Sequence, residues 1–385
     1  MTTHANRRAG RRWMVPVGIA LASAAVLAGC SGGGTAAPVN SIAAGKYPDY
    51  YPKDYQKLVD AAKKEGGELN IYSNTDQTNW APIFRDFKKK YPFVTTINAN
   101  NLDSDEVFQR VLSEQATGGT SADIMVTGAA QGWAKFTQGK KDAVLPYTSP
   151  ELSQLPDFAQ PLPGVYAMSL DPSGITYNTS LLPKGITGYA DLAKQVKANP
   201  AAFENKITTR DIGGSFGFTV TRALTEARPK LWSAFETILP VARPETSSGT
   251  QGEKILAGEY VAGFQISTAP SYPLEQSSGG LYKVVLPKDG TVVLPRGIGI
   301  VPEAKRTATA KLFVDFVLSK EGQNAVAEGG LTSYRDSVKS APGLHTYQDL
   351  AKAVGKDQII IGSYKLVTPE QVAAFTDRWN GLLAK

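Results

Sequence analysis

Four short clusters in this 385-residue chain hold the residue types that bind small anions: Ser73-Asn74-Thr75-Asp76, Thr127-Gly128, Asp211 with Gly213-Gly214-Ser215, and Ser247-Ser248-Gly249. Each stands where a strand-like stretch gives way to a helical one. Small hydroxyl residues and glycines leave the N–H groups of a first helical turn open, and those groups together with the helix dipole suit phosphate or carboxylate. Taken singly, each cluster is an ordinary helix N-cap. Four of them in one chain form a pattern. Arg296 adds a guanidinium that can take two oxygens of one anion, its alternative being a surface ion pair. Tyr72, Phe216 and Tyr272 offer faces for an organic body, although aromatics at strand ends otherwise join the core. Ser173, opening the stretch Ser173 to Asn178, and Thr268, in "ISTAPSYPLE", complete the candidate set.

Two other chemistries compete. Gly213-Gly214-Ser215-Phe216-Gly217 matches G-x-S-x-G between a strand and a helix, with acids and then His345 downstream in hydrolase order. Against a secreted serine hydrolase stand the lack of an HGGG-type oxyanion stretch, the polar setting of His345 in "PGLHTYQDL", and the frequency of chance matches among 37 glycines. Asp76, Asp211, Tyr272 and Glu275 together are the residues for a hard cation or an amine. A zinc or copper centre lacks ligands, because His345 is the one histidine beyond the leader and Cys30 the one cysteine. No cofactor is expected. No Walker loop or GxGxxG occurs, so any ATPase must be a separate chain.

The first 29 residues have the layout of a secretory signal. Arg7, Arg8, Arg11 and Arg12 precede an uncharged run from Trp13 to Ala28 that contains Pro16, Gly18 and Ser23, a poor permanent membrane span. Leu27-Ala28-Gly29-Cys30 resembles the bacterial lipobox, in which the cysteine sulfur receives diacylglycerol and becomes the new N-terminus. The alternative is a small-residue cleavage site with an incidental cysteine. Residues 30–47, mostly Gly, Ala, Ser and Pro, read as a flexible tether. Of the 41 Lys and Arg, four lie in the leader, leaving 37 against 35 acids, so the overall charge of +6 carries no argument for nucleic acid. No basic run with interleaved aromatics offers a phosphate-backbone surface. "FKKKYP" reads as a solvated helix end.

The clusters need elements to hold them. "YQKLVDAAKKEGG" carries a helical stripe and a double-glycine stop, "ELNIYS" reads as a strand, and Trp80, Ile83, Phe84 and Phe87 fall on one helical face closed by Pro92. "FVTTINA", "SDEVFQRVLSEQATGG" and "ADIMVTG" follow as strand, helix and strand. Beyond a loop-rich middle, strands ("GITYNT", "KITTRD", "VAGFQIS", "YKVVLP", "TVVLPRGIGIV") alternate with helices ("FTVTRALTEA", "PKLWSAFETIL", "TQGEKILAGE", and "ATAKLFVDFVLSKEGQNAVAEG" as one long helix). No 20–50-residue repeat interrupts this. The pattern predicts α/β architecture with doubly wound lobes and ligands beyond the carboxyl ends of strands. Two lobes suit a mature chain above the size at which single cores stop growing.

"ELNIYSNTD", "ADIMVTG", "SGITYNTSLLP", "SSGTQGEKILAGEYVAGF" and "PRGIGIVPEAKRTATAKLFVDFVLSKEGQ" resemble the extracellular solute-binding proteins of bacterial ABC importers, in the group of ferric-iron, thiamine, phosphonate and sugar-phosphate binders. The resemblance implies a type II periplasmic-binding-protein fold in which two lobes close on a ligand about a two-crossing hinge. The crossings fall near Ser173–Asn178 and Val292–Ile298. One discontinuous lobe comprises 48–172 plus 297–385, the other 173–296. It also implies a monomer without enzymatic activity, lipid-anchored outside the membrane, partnered by a permease and an ATPase. Ferric binders of the group commonly use adjacent tyrosines and often a histidine; here Tyr272 stands alone and Asp76 takes the first-strand position. The expectation is therefore an organic anion, with ferric iron or another cation as the alternative.

Overall fold

The structure, a computed structural model, describes residues 47–140, 142–339 and 341–383. The leader, Cys30 and all of the tether but Tyr47 lie outside the described residues. Among the described residues ten strands join in one sheet: β1 (Glu68–Ser73), β2 (Thr96–Asn101), β3 (Ile124–Thr127), β4 (Val165–Asn178), β5 (Ile207–Arg210), β6 (Ala242–Glu245), β7 (Ala262–Ser267), β8 (Tyr282–Val285), β9 (Thr291–Ile300) and β10 (Ile359–Ile361). Their order is β2-β1-β3-β9-β4-β7-β5-β6, with β10 on β9 and β8 on β4. β2-β1-β3 and β6-β5-β7 are two parallel groups; between them β9 runs antiparallel to β3 and β4, and β4 antiparallel to β7, while β10 joins β9 in parallel. The fold is mixed α/β and doubly wound, as the alternation of strands and helices predicts.

β4 makes both halves. Val165 to Pro172 pair with β9, and Ser173 to Asn178 pair with β7 and β8, so the strand leaves one sheet for the other at the Pro172–Ser173 step. Proline lacks the N–H a central ladder needs, which places the transfer there. The sequence showed only the "GITYNT" end of this 14-residue strand.

Each half has its own core. Trp80, Ile83 and Phe87 of the helix Gln77–Lys90 pack against Phe313 and Phe316 of the helix Thr307–Leu318, the Phe87 and Phe313 rings meeting edge to face at 5.0 Å. On the other side Val220 and Leu224 of the helix Ser215–Ala227 join Tyr189, Phe235 and Phe264. Burying one such phenylalanine contributes about 1.5–3 kcal/mol. Before β1, Gly67 has φ +74°, and a Cβ there would lie 2.2 Å from the Phe93 carbonyl, so only glycine fits.

The long helix expected from "ATAKLFVDFVLSKEGQNAVAEG" is two. Ser319 takes an extended conformation (ψ 165°) and accepts from the Gly322 N–H at 3.1 Å, ending Thr307–Leu318 and capping Lys320–Glu328. Apolar periodicity continues across a break when both helices bury the same side. The C-terminus also departs from the division at 297–385. The helix Pro369–Asn380, opened by a Thr368/Gln371 capping box, inserts Trp379 into the core of the β5–β7 half beside Phe235. Between the halves the chain is held by the Tyr364 hydroxyl on the Pro295 carbonyl (2.6 Å) and by Gln131, which grips Lys365 O at 2.8 Å and Val367 N at 3.0 Å.

Candidate functional site

A cavity of about 210 Å³ lies where β1, β5 and β7 end and the following helices begin. One wall is formed by Asn74, Thr75, Asp76 and Asn79 with the Asn101–Ser104 segment. The facing wall is Arg210, Phe216, Ser247, Ser248 and Gly249, and Asp171, Ser267 and Arg296 lie between. Three of the four predicted clusters thus contribute at or beside one place, because the carboxyl ends of the parallel strands converge there.

Arg296 is 3% exposed and bound on three sides. Its Nη2 donates to Asp171 Oδ2 at 2.6 Å, and its Nη1 to Asn74 Oδ1 at 2.8 Å and Thr75 Oγ1 at 3.1 Å. The Ser267 hydroxyl meets both Asp171 oxygens at 2.7 and 2.8 Å. The surface ion pair considered for Arg296 is therefore a buried one, in which removing either partner would leave an uncompensated charge. Its Nε remains without a partner.

Arg210 was not anticipated. It ends β5 with its guanidinium 5.3 Å over the Phe216 ring, and its Nε and Nη1 are buried with no hydrogen-bond partner among the described residues. Burial lowers its pKa to about 10, against the pull of Asp103, Asp211, Asp171 and Asp105, so it stays cationic at neutral pH. The sequence signal was an arginine at the end of an otherwise neutral strand, "ITTR". Asp171, a carboxylate inside the buried β4, was a second signal of this kind. Asn79, Asn101, Asp103, Ser104 and Ser267 are further lining residues that the helix-start pattern did not select.

The other predicted residues divide. Ser247 caps its helix, accepting from Thr250 N at 3.0 Å, and the Ser248 hydroxyl accepts from Ser267 N at 3.0 Å; both still line the cavity with Gly249. Asp76 accepts from Asn101 Nδ2 at 2.7 Å on the rim. Asp211 turns back on Gly213 N at 2.9 Å and, with Gly214 and Ser215, lines an adjoining cavity that shares Arg210 and Phe216. There the open helix start expected at Ser215 is occupied by the chain itself: Asp105 accepts from Ser215 N at 3.0 Å and from the Ser215 hydroxyl. Gly128 faces the Phe216 ring, 4.0 Å from where its Cβ would be.

Six of the predicted residues lie off the cavity. Tyr72 points to the opposite face of β1, its hydroxyl on Glu114 at 2.6 Å and its ring under Arg110. Ser73 is fully buried and turns its hydroxyl to Thr75 N at 2.9 Å, and Thr127 donates to the Ser104 carbonyl at 3.1 Å. Ser173 and Thr268 are buried and do not line it. Tyr272 is elsewhere altogether, stacked 3.6 Å on His345 at an angle of 4° beside a different cavity that also holds Glu275. The cation cluster of Asp76, Asp211, Tyr272 and Glu275 is consequently dispersed, with Glu275 paired to Lys283 at 2.6 Å. Ser215 and His345 likewise line separate cavities, and the triad order seen in the sequence does not assemble between them. Among the described residues no group of three or more His, Cys, Asp or Glu is placed to hold a metal ion.

The model of the bacterial extracellular solute-binding proteins matches residues 82–353. The chain belongs to that family. An uncharacterized protein of Haemophilus influenzae is 25% identical to this solute-binding protein over 280 residues, 71% of this chain and 79% of the other. The substrate-binding protein of an ABC transporter from Agrobacterium tumefaciens shares the fold with a TM-score of 0.72 at 21% identity, covering 83% of this chain and 94% of that one. The periplasmic binding protein AfuA from Actinobacillus pleuropneumoniae, solved with fructose-6-phosphate bound, has a TM-score of 0.64 at 21% identity, over 82% and 98% of the two chains. No helix among the described residues is long and apolar enough to cross a membrane.

Proposed function

We propose that this solute-binding protein is the capture subunit of an ABC importer, taking a small organic anion, phosphate- or carboxylate-bearing, into the cavity between β1, β5 and β7. One observation carries the anion: the buried Arg210 guanidinium, with Nε and Nη1 unpartnered at the cavity wall. A buried donor pays its desolvation in full unless something accepts from it, and a charged donor pays most, so an anionic acceptor is the group the wall lacks. Asn74, Asn79, Asn101 and Asp103 on the facing wall accept from, or donate to, hydroxyls on the same solute. A relative that holds a sugar phosphate in this fold supports the reading.

Two lobes, 48–172 with 297–385 and 173–296, the C-terminal helix Pro369–Asn380 reaching back onto the second, close on the solute about β4 and β9. Closure is the function; no covalent step is required of any residue. The protein acts as a monomer outside the membrane, held by lipid on Cys30, and hands its solute to a permease served by a separate ATPase. The cation alternative is not favoured, since its residues are dispersed.

Thermal-shift screening of the purified protein against sugar phosphates, phosphonates, carboxylates, polyamines, thiamine and ferric salts tests the reading. A true ligand at one hundred times its dissociation constant stabilises the fold by about 2.7 kcal/mol. Arg210→Ala should abolish most of that shift, with affinity falling by about 1.5–3 kcal/mol for a lost charged hydrogen bond. If only amines or ferric salts stabilise the protein, and Arg210→Ala leaves their effect intact, the anion reading is wrong.

A further inference from the structure

Gln265 is one of two residues other than glycine with positive φ among those described, at +56°, and it sits inside the fully buried strand β7. It is a bulge. On β4, Ile175 faces Phe264 and Gly174 faces Ile266, so Gln265 is skipped. On the other side β5 pairs with β7 through Thr209 and Phe264, and the ladder stops one residue before Arg210. A bulge residue in this conformation is ordinarily glycine, because a side chain there is strained. Glutamine is kept at that cost, and its side chain does something glycine cannot. Its Oε1 accepts from Thr221 Oγ1 at 2.7 Å and Thr209 Oγ1 at 3.2 Å, all three side chains being buried.

We propose that Gln265 is a positioning residue for solute binding, setting the aim of the Arg210 guanidinium through the bulge in β7 and the bond to Thr221. Thr209 immediately precedes Arg210. Thr221 lies on the helix Ser215–Ala227, whose Phe216 carries the guanidinium on its face. Beyond the bulge, pairing resumes with Ile266 opposite Gly174 and continues to Ser267 opposite Ser173, and this register delivers the Ser267 hydroxyl to Asp171 and so to Arg296. One strained residue thus orients both guanidinium groups of the cavity. The proposal rests on the reading of Arg210 as the solute's partner, and its test separates the two.

Protein labelled with nitrogen-15 arginine reports Arg210 directly through its Nε–H resonance, assigned with Arg210→Lys, and inorganic phosphate is the anion probe. Gln265→Gly relieves the backbone and deletes the acceptor, and Gln265→Met keeps the bulk and the strain without the acceptor. Both should speed solvent exchange of the Arg210 Nε–H and raise the phosphate midpoint by about tenfold, the loss of one charged hydrogen bond. Gln265→Gly should do so with a thermal midpoint no lower than wild type, a separation that a merely structural role would not give. Unchanged exchange and unchanged phosphate response in folded variants overturn the proposal. If neither Gln265 variant folds, Thr221→Val removes the same bond from the helix side, and unchanged Arg210 exchange there overturns it equally. Faster exchange in the variants with no phosphate response in wild type keeps the positioning role and removes the anion reading.

Discussion

Single residues in this protein are most informative where they are buried and charged. Asp315, on the inner face of the helix Thr307–Leu318, accepts from Tyr55 at 2.7 Å and Tyr147 at 2.6 Å, and its Oδ1 has no partner. Burial raises its pKa from 3.8 to about 6, more than the tyrosines and Ser149 lower it. The folded state therefore holds this proton more tightly than the unfolded one. Its contribution to stability is complete below about 3.8 and is lost as the pH rises through about 6. Asp315→Asn should gain on wild type between those limits by on the order of 3 kcal/mol, less what an unpaired amide costs. Urea melts at pH 4 and pH 7 would read it; a stability difference independent of pH would refute the assignment. The same reasoning explains the site. Ser, Thr and Gly at helix starts were legible as a pattern, whereas which of them faced a ligand depended on competition from inside the chain. Asp105 took the helix start at Ser215, and Ser73 took Thr75.

At the scale of elements, periodicity located most helices and strands because each buries one face against a sheet. It failed where burial was two-sided. β4 is buried along nearly its whole length, so its first half carried no alternation, and the break at Ser319 interrupts no apolar pattern. The C-terminal helix Pro369–Asn380 is the element whose placement followed least from its sequence. It is mostly exposed, yet Trp379 is fully buried against Phe235 and Trp232. Trp379→Ala should cost about 3–5 kcal/mol, a large part of a domain's stability. Chemical denaturation measures it, and a loss below about 1 kcal/mol would mean that the helix is not docked in that core.

For the whole molecule, the two halves touch directly as well as through β4 and β9. Asn79 Nδ2 donates to the Ala269 carbonyl at 3.0 Å, and Asp105 reaches Ser215 across the cavity. These bonds favour the closed arrangement, so Asp105→Ala should enlarge the radius of gyration by small-angle scattering and weaken solute binding by about 1.5–3 kcal/mol, the value of a charge-assisted bond. No change in either quantity would show that closure does not depend on it. Outside the described residues, Cys30→Ala should release the protein from membranes, since a diacylglycerol supplies the two chains stable anchoring requires. Retention of the variant in the membrane fraction would exclude the anchor.

By itself the sequence determined the α/β alternation. This is a property of local composition: the period of apolar residues and the placement of glycine and proline. It also showed small hydroxyl residues and glycines where strands become helices, and the cavity lies at those transitions. Tertiary structure decided which charges remain free. Arg296 and Arg210 are alike in sequence, each a cation at a strand position. Only the fold brings Asp171, Asn74 and Thr75 to Arg296, from 125, 222 and 221 residues away, and leaves two nitrogens of Arg210 without an acceptor. Long-range pairing of this kind leaves no periodic trace, since its partners meet through chain reversal rather than through spacing.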